Sequence, residues 1–354
     1  MTRGVLLLGA AGNSGRLIAA ELAARQVPVR LAGRSLGPLE ELAGSLAADG
    51  STGSTGSTTE VRAVDVTHAG SLAEAMTGVG VVLSTIGPFA RYGGPVIDAC
   101  LAAGVSYVDI ANEWSAVRSL LDRDEAAAAR SVTLVTGAGF GPAATETLVL
   151  RLMERLGAGV VPEAGVVPEA GVAPESGVAP EAGVAPESVR VAAAAGVARQ
   201  SEGVRQTVQE SLASGTAVAY RDGELVRDPL GSGAVLLTFG GADRQMLPGP
   251  VGDVETARLA SGAANVVAYI ENPAARGGGT GSYTWAEIVG RDGQVLSAEL
   301  RAGEGVSATA AIAAETALRV LSGAKPGAWT AGQLLGAGLV TDATGAQVIM
   351  NGTP

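Results

Sequence analysis

The stretch that decides the fold is residues 5–15, which read Val-Leu-Leu-Leu-Gly-Ala-Ala-Gly-Asn-Ser-Gly. An apolar run of strand length is followed directly by a glycine-rich turn and then by the amphipathic segment Ser14–Arg25. In this strand–turn–helix context the backbone of such a turn can approach a pyrophosphate, whose charge is favourable at a helix amino terminus. The alternative is a tight turn that binds nothing. We predict a dinucleotide site at the turn, formed by Gly9, Gly12, Asn13, Ser14 and Gly15.

Working outward from this turn, short apolar runs alternate with amphipathic stretches as far as residue 136, a pattern typical of a parallel sheet wrapped by helices. After residue 187 the pattern changes to hairpins, with a strong turn signal at Asp292-Gly293. The predicted fold class is therefore α/β: a Rossmann doubly wound parallel sheet plus a second α+β domain with a mostly antiparallel sheet. The strands predicted for the first sheet are Val5–Leu8, Val29–Ala32, Val61–Val64, Val81–Ser84, Tyr107–Ile110 and Val132–Val135.

Three parts of the chain are predicted to form separate units. Residues 1–138 form the dinucleotide-binding Rossmann domain, 139–322 an α+β substrate and dimerisation domain, and 323–354 a tail that packs back on the Rossmann domain. Between Ala158 and Glu187 the unit (Ala/Ser)-Gly-Val-(Val/Ala)-Pro-Glu recurs five times. Proline and glycine in every unit oppose both helix and central strand, so residues 158–188 are predicted to be a disordered insert. A hexapeptide β-helix is the structured alternative.

Composition excludes several classes of function. The 354 residues carry 24 basic and 35 acidic side chains, a net charge of −11, which argues against a nucleic-acid partner or an anionic membrane surface. A single histidine, His68, and a single cysteine, Cys100, exclude a disulfide framework and a Cys/His zinc site, and no metal site is predicted. Because no segment has the length or composition of a targeting or membrane-spanning sequence, a cytoplasmic location is expected.

The end of the second predicted strand bears on the choice of cofactor. An NAD enzyme usually has an acidic residue there to bind the ribose hydroxyls, whereas this sequence has Gly33-Arg34-Ser35. Arg34 can pair with a 2′-phosphate and Ser35 can donate to it, so NADP is favoured over NAD. Asp65, at the end of the third strand, is placed either to flank the adenine or to cap a turn.

Two segments at the carboxyl ends of later strands are candidates for the reacting end of the site. The segment after strand four would pass under the nicotinamide, so Thr85, Gly87 and Pro88 are predicted to bind cofactor. In a chain with 3% aromatic residues, Phe89 and Tyr92 just beyond it suggest a lined pocket.

The second segment follows strand five and reads Tyr107-Val108-Asp109-Ile110-Ala111-Asn112-Glu113. Tyr107 and Asp109 could face the substrate from the carboxyl end of the strand. Asn112 could instead cap the next helix, which would place Glu113 in its first turn.

These motifs together resemble the saccharopine dehydrogenase-like family and, within it, the trans-acting enoyl reductase branch. The likeness rests on the glycine turn, on Gly-Arg-Ser, on Gly-Pro-Phe-Ala-Arg-Tyr-Gly-Gly-Pro-Val from residue 87, and on Tyr-Val-Asp-Ile-Ala-Asn-Glu from residue 107. It continues through Gly139-Phe140-Gly141-Pro142, Trp285-Ala286-Glu287 and the segment from Gly327. The hexapeptide repeat has no counterpart in the family pattern.

The resemblance implies NADP-dependent hydride transfer to an activated C=C bond of a small or carrier-bound metabolite, in a chain that could form a homodimer. Two alternatives stay open: an imine reductase of the saccharopine type, and a non-catalytic NADP-binding sensor or assembly partner. Tyr92, or Asp109 acting through water, or solvent itself would supply the proton. The residues assigned to the substrate are Phe89, Tyr107, Glu113 and Phe140.

Overall fold

A computed structural model describes residues 4–48, 59–157, 185–194, 196, 202–272, 274–275 and 281–351. The predicted disordered insert lies outside the described residues except for its last few positions. Within the described part, no helix is long and apolar enough to cross a membrane, and no three His, Cys, Asp or Glu side chains are grouped so that they could hold a metal ion.

Strands and helices alternate through the amino-terminal half, as the sequence predicts. In chain order these elements are β1 Gly4–Leu8, α1 Asn13–Ala24, β2 Val29–Gly33, α2 Leu36–Ala48, β3 Glu60–Ala63, α3 Ala69–Ala75, β4 Val79–Ser84, α4 Phe89–Ala103, β5 Ser106–Asp109, α5 Trp114–Leu121, α6 Asp124–Ala129, β6 Thr133–Thr136 and α7 Pro142–Arg155.

The carboxyl-terminal half begins with strands and hairpins and ends with short mixed elements. They are β7 Ser188–Ala194, α8 Glu202–Ala213, β8 Thr216–Arg221, β9 Glu224–Pro229, β10 Val235–Phe239, β11 Ala242–Pro248, α9 Asp253–Ser261, β12 Asn265–Glu271, β13 Ser282–Val289, β14 Val295–Ala302, α10 Gly305–Leu321, β15 Gly327–Thr330, α11 Ala331–Leu335, α12 Leu339–Thr344 and β16 Gln347–Asn351.

The first sheet is parallel throughout, with the strand order β15-β6-β5-β4-β1-β2-β3. The chain moves outward from β1 in one direction through β2 and β3, and in the other through β4, β5 and β6. The carboxyl ends of β1 and β4 therefore flank the point where the order reverses, which is where open α/β sheets bind their ligands.

A seventh strand, β15, extends this sheet and was not predicted. It comes from the far end of the chain and pairs with β6, and its Ala328 N–H donates to Asp124 Oδ1 at 2.8 Å. The last strand, β16, pairs instead with β14 of the other sheet. Residues 323–354 are thus shared between the two sheets and do not pack on the first sheet alone.

The second sheet is mostly antiparallel, as predicted. Its main path runs β10-β11-β12-β7-β13-β14-β16, β8 pairs with β12, and β9 pairs with β8. Among its described strands only the β12–β7 pair is parallel. Strands β13 and β14 form the hairpin expected at Asp292-Gly293, where Gly293 has a φ of +83°. Such a positive φ strains any side chain with a Cβ, which explains the glycine.

Helix α10 packs against α1 and the first sheet, while α7 and α9 pack against strands of the second sheet. The buried side of α10 consists mainly of alanines, among them Ala310, Ala313, Ala314 and Ala317. Small side chains let helices approach closely, so one continuous apolar cluster spans α1, α7, α10 and both sheets.

Side-chain hydrogen bonds mark where one helix begins and where two others separate. Helix α4 begins at Phe89, whose N–H donates to the Glu113 carboxylate at 2.8 Å. Between α5 and α6 lies Arg123, whose side chain bonds to Ser119 of α5 and to Asp98 of α4.

Three buried carboxyl groups, those of Asp109, Glu146 and Asp253, have raised pKa values. Burial raises the pKa of Glu146 to about 7 and the pKa values of Asp109 and Asp253 to about 6. Glu146 accepts hydrogen bonds from Thr330 Oγ1, from Gly332 N at 2.8 Å and from Gln333 N at 3.1 Å. It therefore ties α7 to the start of α11.

The Glu146 carboxyl predicts a stability that falls as pH rises. Burial raises its pKa in the folded state to about 7, above the ordinary value of 4.5, so the folded state binds more protons between these values and loses stability as they are released. We expect Glu146→Gln to reduce the fall in unfolding free energy between pH 5 and 8 by about 2.5 kcal/mol.

Urea denaturation at fixed pH values measures this change. Glu154→Gln, on the exposed side of the same helix, is the matched control and should leave the slope as in the wild type. Carboxylates with a lowered pKa, such as Glu315 beside Arg319, titrate below this window. An unchanged slope in Glu146→Gln contradicts the assignment.

Candidate cofactor and substrate site

The glycine turn is a close-packed cradle between β1 and α1. A Cβ atom placed on Gly15 would lie 2.2 Å from the Gly9 carbonyl oxygen, and one on Gly9, where φ is +80°, would lie 2.5 Å from Thr85 Oγ1. Gly12 is exposed, and its N–H donates to Gly9 O at 2.9 Å. Side chains at Gly9 and Gly15 would thus disrupt the turn, whereas the Gly12 position faces outward where a phosphate would bind.

Helix α1 has no side-chain cap, although it begins in this turn. Gly12 is its N-cap residue, and no acidic residue lies in its first turn. The first N–H groups of a helix lack intrahelical acceptors and carry a partial positive charge, so an exposed, uncapped terminus favours an anion. The predicted residues Gly12, Asn13 and Ser14 lie at this terminus, which fits a dinucleotide pyrophosphate.

Thr85 connects the two strands at the reversal point. Its hydroxyl lies 3.0 Å from Leu8 O and 3.2 Å from Gly9 O, to which it donates, and its N–H donates to Leu8 O at 3.0 Å. The predicted cofactor residue Thr85 therefore braces the glycine turn from the neighbouring strand. The loop that follows it, Ile86-Gly87-Pro88, is held beside the turn as a result.

Arg34 and Ser35 lie just beyond the carboxyl end of β2, and both are exposed. No hydrogen bond or ion pair joins the Arg34 guanidinium to another residue in the described part of the chain. A guanidinium with unused donors at this edge of the sheet is free to bind a phosphate. This fits the position of a 2′-phosphate on the ribose of a dinucleotide bound at the turn.

Asp65 caps a turn after β3, the alternative that the sequence left open. Its Oδ1 accepts from Thr67 N at 2.9 Å and Thr67 Oγ1 at 2.7 Å, and its Oδ2 lies 3.1 Å from His68 Nδ1. The Thr67 hydrogen bonds lower the pKa of Asp65, with a smaller contribution from His68. The turn is exposed, so Asp65 can still flank an adenine while it carries out this structural role.

Asp109 lies at the end of β5 and is buried. Its Oδ1 accepts from Ala111 N at 3.0 Å, Thr136 Oγ1 at 2.8 Å and Gly137 N at 3.2 Å, which fixes the ends of β5 and β6. It also lines a pocket between α4 and α5, together with Phe89, Arg91 and Ser119. Asp109 therefore both fixes the strand ends and lines the pocket.

Two residues assigned to the substrate are instead part of the core. Tyr107 is fully buried in the cluster formed by α3, α4 and the first sheet, and burial raises its pKa well above the usual value. Phe140 is 3% exposed, and its N–H donates to Thr309 Oγ1 of α10. These predictions were wrong because a strand end or a Gly-Phe-Gly turn does not reveal which side the later helices cover.

The other aromatic residues lie near the start of α4. Phe89 is 8% exposed and lines the pocket beside Asp109. Tyr92 is half-buried and packs against the same cluster as Tyr107, and the Arg91 guanidinium lies 5.1 Å from the centre of its ring. The structure thus brings Phe89 and Asp109 together and places Tyr92 one turn farther along the helix.

Glu113 is the N-cap residue of α5 but does not cap that helix with its side chain. Its Oε1 accepts from Phe89 N and from Thr207 Oγ1 at 3.2 Å, and its Oε2 accepts from Asn112 N at 3.3 Å. Sequence reasoning missed Thr207 altogether. Its helix comes almost a hundred residues later, and no local pattern links the two positions.

Comparisons with known proteins agree with this geometry over the first sheet. Residues 5–135 match the model of the saccharopine dehydrogenase NADP binding domain. The match covers a little over a third of the chain. The resemblance inferred from the sequence motifs is thereby confirmed over these residues, which include the glycine turn.

Curated relatives match a similar portion of the chain. A trans-acting enoyl reductase from Mycobacterium ulcerans is 32% identical over 157 residues, which are 43% of this chain and 35% of that protein. A saccharopine dehydrogenase-like oxidoreductase from Homo sapiens is 30% identical over 145 residues, 38% of this chain and 34% of that one. The chain therefore matches only about a third of the length of these relatives.

A solved structure, GenD2 from gentamicin A biosynthesis in complex with NAD, is matched over 99% of this chain and 97% of its own, with a TM-score of 0.45 and 15% identity.

The glycine contacts predict different outcomes for two substitutions in the turn. Gly15→Ala should lower the free energy of unfolding by roughly 2–4 kcal/mol, because the new Cβ would overlap the Gly9 carbonyl. In Gly12→Ala the nearest atom is Gly9 O at 3.1 Å, so we expect a melting temperature close to wild type but weaker NADPH binding.

Gly44→Ala is the control, since nothing lies within 4 Å of a Cβ there and it occupies a helix interior. It should be neutral or slightly stabilising. Thermal unfolding and fluorescence titration with NADPH measure the two effects. Equal NADPH affinity in Gly12→Ala and wild type contradicts the assigned site.

Proposed function

We propose that this chain is an NADPH-dependent oxidoreductase that transfers a hydride to an activated C=C bond, of the enoyl type, in a small or carrier-bound metabolite. The observation that carries the proposal is the uncapped α1 terminus in the glycine cradle at the strand-order reversal, within a domain of the saccharopine dehydrogenase NADP-binding family. The enoyl preference rests on the relatives named trans-acting enoyl reductase.

In this proposal the residues of the chain chiefly bind and orient. The turn and α1 terminus hold the pyrophosphate, Arg34 and Ser35 the 2′-phosphate, and Thr85, Gly87 and Pro88 form the surface beneath the nicotinamide. The bound dinucleotide supplies the hydride. What the protein adds is proximity: the acceptor carbon must lie against the nicotinamide face with bulk water excluded.

For the proton that accompanies the hydride we propose Asp109, acting through a water in the pocket beside Phe89. Two observations support this choice over Tyr92. Burial raises the pKa of Asp109 to about 6, so a fraction of the group is protonated near neutral pH. It also lines the pocket at the start of α4, directly after the loop assigned to the nicotinamide.

The relative named saccharopine dehydrogenase-like oxidoreductase keeps imine reduction as a second candidate. An amino-acid-type imine substrate would need a cationic group for its carboxylate. Arg91 at the pocket is exposed and could serve. Screening NADPH oxidation against enoyl thioesters and against imines of amino acids separates the two. Tight NADPH binding without turnover of either class would favour the non-catalytic sensor.

Arg34 provides the test of cofactor choice. One charge-assisted contact to a phosphate is worth about 1.5–3 kcal/mol, so Arg34→Ala should raise the Kd for NADPH by roughly 10- to 150-fold and change the Kd for NADH little. Arg291→Ala, an exposed arginine in the turn between β13 and β14, is the control. Equal losses for both cofactors would remove the argument for NADP.

A further inference from the structure

Residues 112–114 form a joint that contacts both halves of the chain. Gly252 N donates to Asn112 O at 2.8 Å and Trp114 N donates to Pro250 O at 3.1 Å, so this segment makes a short antiparallel bridge with the residues before α9. The backbone of the joint is thereby bound to the chain that forms the second sheet.

The Glu113 side chain, at the centre of this joint, contacts a different pair of elements. One oxygen, Oε1, accepts from the first N–H of α4 at Phe89 and from the Thr207 hydroxyl of α8. A Cβ placed on Gly87 would lie 3.5 Å from Thr207 Oγ1. The hydroxyl of α8 is therefore in contact range of the loop assigned to the nicotinamide, and one buried carboxylate fixes both.

This arrangement exceeds what helix capping requires. To cap α4, Glu113 needs to accept only the Phe89 N–H. Here its Oε1 also accepts a hydrogen bond from the Thr207 hydroxyl of α8, a helix in the other half of the chain. Of the side chains of α8 that the structure describes, Thr207 is half-buried while Arg205, Gln206, Gln209 and Glu210 are exposed. Glu113 is 7% exposed, and removing the donors to a carboxylate that is so buried lowers the stability of the folded protein.

We propose that Glu113 is a positioning residue which, through Thr207, holds α8 against residues 85–89, so that α8 forms a wall of the substrate site and responds to the dinucleotide bound there. This inference rests on the proposed function for the cofactor site. The contact itself does not, because it joins residues of this chain only.

The test removes one hydrogen bond and leaves shape nearly unchanged. In Thr207→Val the hydroxyl is replaced by a methyl group, and in Thr207→Ser the hydroxyl is kept. Thr238→Val is the matched control, since Thr238 donates to Asp243 at 2.7 Å on an exposed hairpin of the second sheet. The first measurement is hydrogen–deuterium exchange of peptides from 202–213 without cofactor.

We expect these peptides to exchange at least fivefold faster in Thr207→Val, to return to within twofold of wild type in Thr207→Ser, and to be unaffected by Thr238→Val. Unchanged exchange in Thr207→Val overturns the contact, whatever the cofactor does. This arm needs no NADPH and so remains decisive if the proposed function fails.

The second measurement adds NADPH. In wild type, binding should slow exchange in 202–213 and enhance the fluorescence of the bound nicotinamide. In Thr207→Val both effects should shrink at least twofold, although the Kd for NADPH stays within threefold. A merely structural bond would not move the nicotinamide signal.

If NADPH binds to the wild type but hydrogen–deuterium exchange in 202–213 does not change, the coupling is overturned. Absence of NADPH binding to wild type overturns both the coupling and the proposed function, and the cofactor-free arm distinguishes that result from loss of the contact alone. With a substrate identified, Thr207→Val should raise KM at least fivefold and change kcat by less than threefold.

Discussion

The architecture of the first half depends on the close approach of the first turn of α1 to the carbonyl of Gly9. At Gly15 there is no room for a Cβ. On the other side of the turn, the Thr85 hydroxyl donates to the carbonyls of Leu8 and Gly9, where β1 ends and the turn begins. The helix is thereby aimed with free N–H groups outward at the point where the strand order reverses. The phosphate site that we propose depends on this packing, because any side chain in the contact would push the helix terminus away.

The contact between the two halves has a different physical basis. Alanine-rich α10 packs its small side chains against α1 and the first sheet, and its Glu315 also pairs with Arg25 at the end of α1. Hydrogen bonds of residues 112–114 set the relative orientation of the elements. Their backbone pairs with residues 250–252, and the Glu113 carboxylate bonds to both α4 and α8. Apolar burial thus holds the halves together, while a few buried polar contacts set how the loops around the site face one another.

Carboxyl groups within the protein serve as internal caps. Glu113 accepts the first N–H of α4, Asp109 holds the ends of β5 and β6, and Glu146 binds the backbone of α11. Each provides an acceptor where a helix start or strand end would otherwise leave donors unpaired in the core. The cost is that burial raises the pKa of Asp109 and Glu146, and with it comes a dependence of stability on pH.

The sequence by itself determined the parallel sheet with its order of strands and helices along the chain, the glycine turn, the strand-end arginine and the hairpin at Asp292-Gly293. Those features depend on local periodicity and on backbone conformations that only particular residues adopt. The tertiary structure alone decided that β15 completes the first sheet, that Tyr107 and Phe140 lie in the core, and that Glu113 meets Thr207. Such contacts join residues far apart along the chain, and which side of a strand or turn is covered depends on elements that no local pattern describes.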